Sequence, residues 1–147
     1  MPYKKILVAV DLTEEADEIL EHAKETAQQN GAELSLVTVV KPINQVYAGF
    51  DVAALSADVA MIEQDAIRQA GERLAEWGKT LKIPAARCHV GRGSPAYEIR
   101  ALAAQLGSDL IVIGTHGRHG LGLLLGSTAN GVLHGAPCDV LTVKIAS

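Results

Sequence analysis

The sequence predicts an α/β fold, an open five-stranded parallel sheet with helices on both faces. Short β-branched runs alternate with amphipathic stretches along all 147 residues, and each parallel neighbour needs a right-handed helical crossover. The runs "KILVAVD" and "DLIVIG" are apolar almost throughout, as strands covered on both faces read. Glycines and helix-starting residues mark the joints between runs. One domain over residues 1–147 is expected, long enough to bury roughly two-thirds of its unfolded surface.

"KILVAVD", the first strand, ends on an acid. In "LTEEADEILEHAKETAQQNGAE", Thr13 can cap a helix, Glu14, Glu15 and Asp17 suit its positive end, and Gly31 stops it. Ala16, Ile19, Leu20, Ala23 and Ala27 form one apolar stripe. "ELSLVTVV" is the second strand. Residues 41 to about 57 keep no period and read as a long excursion from a strand's carboxyl end, often a functional position. A second helix over roughly 58–82 keeps Ile67, Ala70, Leu74, Trp77 and Leu81 in phase. "ARCHV" is a short third strand at or near an edge. Ser94 and Pro95 start the third helix and Gly107 stops it. "DLIVIG" is the fourth strand, a short helix runs from about Ser127 to His134, and "CDVLTVKI" closes as the fifth strand.

Composition removes several function classes. A net charge of −4, with 13 basic residues in no block, argues against duplex nucleic acid, which needs a concentrated positive face. Tyr3, Tyr47, Phe50, Trp77 and Tyr97 are scattered, so no stacking platform for single strands is expected. No apolar run approaches the roughly 20 residues of a membrane span, and "MPYKKILVAVD" has no signal-peptide architecture. A cytoplasmic protein without membrane insertion is expected. Cys88 and Cys138 fit no metal spacing and suit a reducing compartment. No metal site is expected either, because His116 and His119 alone lack further ligands.

"LIVIGTHGRHGLGLLLGSTANGVL" carries Gly114, Gly117, Gly120, Gly122 and Gly126 between the fourth strand and the last helix. In parallel sheets ligands bind beyond the strands' carboxyl ends, where the strand order reverses. A glycine-rich turn there presents main-chain amides and approaches an anion closely. Ser127 and Thr128 add hydroxyls. Each donor to a charged oxygen contributes about 1.5–3 kcal/mol, which suits a polyphosphate. This is no Walker loop, because Gly126 and not lysine precedes Ser127. It is no G-x-G-x-x-G either, because Gly126 falls one residue late after Gly120 and Gly122.

Together "KKILVAVDLT", "GSPAYEI", the glycine segment and "APCDVLTVK" resemble the universal stress protein (universal stress protein A) family over essentially the whole chain. The resemblance implies a Rossmann-like sheet of the adenine nucleotide alpha hydrolase type in the order 3-2-1-4-5, with Asp11 and Gly114 on opposite sides of one crevice. It also implies a role in stress response and homodimers built by pairing the last strands. Nucleotide-binding members hold ATP with Gly, two residues, Gly, nine residues, then Gly-Ser or Gly-Thr. The matching positions here are Gly114 and Gly117, then Gly126 with Ser127. Asp11, after Val10, matches the acid near ribose or adenine, and Val39 and Val40 match the position whose backbone contacts adenine. Val10, Thr115, Arg118 and Thr128 complete the expected cofactor-binding set, and Asp11 could hold Mg²⁺ through water. Two departures stand out. Eight residues, "RHGLGLLL", separate Gly117 from Gly126, which removes up to about 3.5 Å of reach. "VDLT" replaces the "VDGS" common among ATP binders and is closer to the branch typified by members without nucleotide.

Several residues keep two readings. Asp11 contacts ribose or caps the helix after it, and both can hold. His116, Arg118 and His119 neutralise phosphate or are exposed loop residues. His22 and His134 read as helix-surface groups, and His89 as a strand residue without a visible partner. Leu123, Leu124 and Leu125 read as an apolar anchor, Gly131 and Gly135 as close packing of the last helix on the sheet, and Cys138 as a buried, unreactive strand residue. Leu141, Val143 and Ile145 alternate with Val140, Thr142 and Lys144, and an edge strand with unpaired backbone predicts a symmetric dimer through residues 138–145. The expected function is an ATP-binding, homodimeric signalling module with an unknown regulatory protein partner. No catalytic residue is assigned, for want of a Walker lysine or a poised base. The alternatives are a nucleotide-free dimeric interaction protein and a slow ATPase.

Overall fold

Apolar side chains fill both sides of β1 (Lys5–Ala9) and β4 (Leu110–Gly114), and these strands pair in the interior of the sheet. The computed structural model describes residues 2–42, 56–115 and 126–145. The expected site residues Gly117 and Arg118 lie outside the described residues, as do His116, His119, Gly120, Gly122, Leu123, Leu124, Leu125 and most of the 41–57 excursion. β2 (Glu33–Val40) and β3 (Cys88–Arg92) extend the sheet on one side and β5 (Asp139–Val143) on the other. The order is β3-β2-β1-β4-β5, with every pair parallel. Ile6 stands between Leu34 and Leu110, and Ala9 between Val37 and Ile113.

Strand alternation divides the core into two layers. Ile6, Val8 and Val10 pack with α1 (Ala16–Asn30) and α2 (Ser56–Leu81). Leu7 and Ala9 face the other way, against α3 (Pro95–Leu106) and α4 (Ser127–Leu133). Right-handed crossovers require this division, because the chain builds outward from β1 through β2 to β3, then returns to place β4 on β1's other side. The strand order therefore reverses between β1 and β4.

All five residues of the α1 stripe, Ala16, Ile19, Leu20, Ala23 and Ala27, are buried. The helix starts later than its sequence suggests. Thr13 does not cap it with its side chain: the Thr13 hydroxyl donates to Asp11 Oδ1 at 2.6 Å, and the Thr13 carbonyl accepts the Ala16 amide in a preceding turn. Gly31 and Gly107 end α1 and α3 at φ +66°, the left-handed conformation that glycine adopts without steric cost. β3 begins at Cys88, two residues into the expected run, because Ala85–Arg87 form a 3₁₀ turn. Gly131 and Gly135 allow close packing against α3, not against the sheet. A Cβ at Gly131 would stand 2.7 Å from the Ala96 Cβ, and one at Gly135 would meet the Arg100 guanidinium.

Candidate functional site

A cavity of about 760 Å³ opens where the strand order reverses, within the range of about 300–1,000 Å³ usual for small-molecule sites. Ala9, Val37 and Ile113 from the sheet, Ile19 from α1 and Ile99 from α3 give it an apolar lining. Its polar lining comes from Asp11, Lys41, Gln69, Ser127 and Thr128, among others. Among the described residues, Asp11 and Lys41 are the charged groups that line it.

Backbone pairing decides which strand ends face this space. The Val10 amide donates to the Val37 carbonyl at 3.0 Å, so Val37 directs its main chain towards β1. Two residues on, Val39 directs its amide and carbonyl the same way, past the point where β1 ends. Val40 has the opposite direction, and its carbonyl accepts the Gly93 amide at 3.1 Å. Both valines line the cavity, but Val39 offers the main-chain donor and acceptor.

On the other side of β1, Gly114 makes room for a core side chain. A Cβ there would lie 2.9 Å from Ile19 Cδ1 and 3.4 Å from Ile145 Cδ1. Thr115 donates its amide to the Val143 carbonyl at 2.9 Å, and its own carbonyl accepts the Gly126 amide. The glycine segment is thus closed at its base by one hydrogen bond. The Gly126 carbonyl accepts the Asn130 amide at 2.9 Å and opens α4. The Ser127, Thr128 and Ala129 amides then have no carbonyl one turn back within the helix.

Of the expected ligand-binding residues, Val10, Asp11, Val39, Val40, Gly114, Gly126, Ser127 and Thr128 all line the cavity. Thr115, expected among them, does not line it and is engaged in the two backbone bonds above. Asp11 uses Oδ1 on the Thr13 hydroxyl and, at 3.4 Å, on the Thr13 amide. A carboxylate has acceptor capacity beyond these. Cys88 and Cys138 do not line the cavity. Burial raises both thiol pKa values, and Asp139 adds to the effect at Cys138, so neither is a poised nucleophile. Among the described residues no three His, Cys, Asp or Glu groups are arranged to hold a metal ion, and no helix is long and apolar enough to cross a membrane.

The sequence model of the universal stress protein family matches residues 2–144. The chain belongs to the universal stress protein family. Universal stress protein A homolog 1 of Coxiella burnetii is 41% identical to it over 143 residues, 97% of each chain. The universal stress protein UspA of Lactobacillus plantarum shares the fold at a TM-score of 0.81 and 25% identity, over 97% of this chain and 99% of that one. A universal stress protein solved in complex with cAMP has a TM-score of 0.62 at 23% identity, over 99% of this chain and 100% of that one.

Sequence reasoning missed several cavity residues of this universal stress protein. Lys41, Leu12, Gln69 and Pro95 all line the space. Lys41 had a readable signal, since it directly follows the apolar end of "ELSLVTVV" and a strand's carboxyl exit is where ligands bind. Gln69 had none, because its approach depends on how α2 lies over the sheet.

Proposed function

We propose that this universal stress protein binds an adenine nucleotide, ATP foremost, in the cavity between the β1 and β4 ends. In this reading it acts as a cytoplasmic, homodimeric regulatory module paired through residues 138–145. One observation carries the nucleotide reading: the main chain of Val39 and the Gly126–Thr128 turn line the same cavity on either side of the β1 end. An amide and carbonyl on one strand residue complement the donor and acceptor on an adenine edge. Asp11 accepts from ribose hydroxyls. Ser127 and Thr128 donate to phosphate oxygens, and Lys41 offsets their charge. Asp11 is the one carboxylate lining the cavity among the described residues, so Mg²⁺ is held mainly by phosphate and water. A protein of the same fold solved with cAMP is in keeping with this reading.

Mass spectrometry of freshly purified, denatured protein is expected to release an adenine nucleotide. ATP at a hundred times its Kd should raise the melting temperature by about 5–10 °C. Gly126→Val should remove that rise and leave circular dichroism unchanged, because φ −63° and ψ 156° at Gly126 admit any side chain. A rise that survives the substitution, or no binding by the unaltered protein, overturns the reading.

A further inference from the structure

We propose that Ala96, Arg100 and Gly131 form a positioning joint between α3 and α4 that sets where the Ser127–Thr128 wall of the cavity stands. Its consequence is selective: the joint governs recognition of a ligand's phosphates and leaves recognition of its nucleoside untouched. The inference rests on the nucleotide reading above.

Along α4 and its exit, Ser127, Gly131 and Gly135 follow one another at intervals of four and share a side. The facing row on α3 is Ala96 and Arg100. At Gly131 the helices approach so closely that an added Cβ would stand 2.7 Å from the Ala96 Cβ, nearer than real side-chain carbons come. A glycine inside a helix is unfavourable relative to alanine, and this close approach is what it permits. One turn further, the Arg100 guanidinium occupies the space that a Cβ at Gly135 would need. From there Arg100 Nη1 donates to the Gly131 carbonyl at 3.2 Å.

Ala96, Arg100 and Gly131 do not line the cavity, but their neighbours do. Pro95 precedes Ala96, Ser127 stands one turn before Gly131, and both line it. A change in the spacing between Ala96 and Gly131 is therefore delivered one turn away, to the hydroxyls and amides at the start of α4. Asp11 follows β1 and Val39 lies within β2, both outside the contacts among Ala96, Arg100 and Gly131, so the nucleoside contacts stand apart from the joint.

Calorimetric titration of the full chain with ATP and with adenosine tests this in four proteins: unaltered, Gly131→Ala, the swap Ala96→Gly with Gly131→Ala, and Arg100→Met. Gly131→Ala should weaken ATP about tenfold, the effect of losing one hydrogen bond to a charged oxygen, with adenosine changed less than about twofold. The swap leaves one methyl group between the helices, as in the unaltered protein, and should restore ATP affinity. Arg100→Met should weaken ATP and spare adenosine, and it carries the test with the swap if Gly131→Ala fails to fold. Equal losses for both ligands, a folded swap that does not recover ATP binding, or unchanged ATP affinity in both single variants overturns the joint alone. No ATP binding by the unaltered protein overturns the nucleotide reading and the joint with it.

Discussion

Asp11 serves local structure and still faces the cavity. Its Oδ1 holds the Thr13 hydroxyl at 2.6 Å, which fixes the turn between β1 and α1, and the residue also lines the cavity. The two readings of this acid, turn partner and ligand contact, are compatible because one carboxylate accepts several bonds. Asp11→Ala and Thr13→Val each remove the turn bond. Each is expected to cost about 1 kcal/mol and to lower the melting temperature by about 2–4 °C in calorimetry. Asp11→Ala alone should also weaken nucleotide binding, which titration of both variants would reveal. Gly114 teaches a different lesson. It lines the cavity, and the space a Cβ would need there is taken by Ile19 and Ile145. Residue type gave the need for space, and only packing named the occupant.

At the scale of elements, three helices end in the same way. Ala32, Ile83 and Ser108 donate their amides to Ala27, Gly78 and Ala103, five residues back, each just after a residue in the left-handed region. Two of those residues are Gly31 and Gly107, both legible in the sequence as stops. The third is Lys82 at φ 60°, where a side chain is disfavoured. Lys82→Gly is expected to stabilise the protein by about 0.5–1 kcal/mol, since Lys79 still supplies a cation in the last turn of α2. Urea unfolding would show this as a higher midpoint at constant slope. Gly31→Ala should do the reverse, and purely through conformation, because nothing lies within 4 Å of the added carbon. The stripe of α1 was legible in full because its period lies within one helix. The start of β3 was misjudged by two residues because its pairing with β2, Thr38 opposite Val90, depends on a distant strand.

For the molecule as a whole, β5 is an edge strand of the sheet, and Leu141 on it is 37% exposed. Val143, on the same side, is buried with α1 residues, so the cover given by α1 ends before Leu141. A strand edge unpaired among the described residues, beside an exposed leucine, fits the proposed pairing of two copies across a two-fold axis. Light scattering after size exclusion is expected to give twice the 15.5 kDa chain mass, and Leu141→Lys to shift the species towards one chain. A monomer at micromolar concentration of the unaltered protein would remove the dimer from the proposal.

The sequence by itself determined the elements and their layering. Periodicity, strand-end acids and glycine stops act over a few residues, and strands apolar on both sides, such as Ile6–Ala9 and Leu110–Ile113, belong in the interior of a sheet. Tertiary structure alone decided that Val39 and not Val40 offers its main chain to the cavity, because Gly93 from β3 occupies the Val40 carbonyl. It also brought Lys41 and Asp11 to one cavity and Gly131 against Ala96. These outcomes join residues far apart in the chain, where the distance between packed elements, and not the residue types, sets the result.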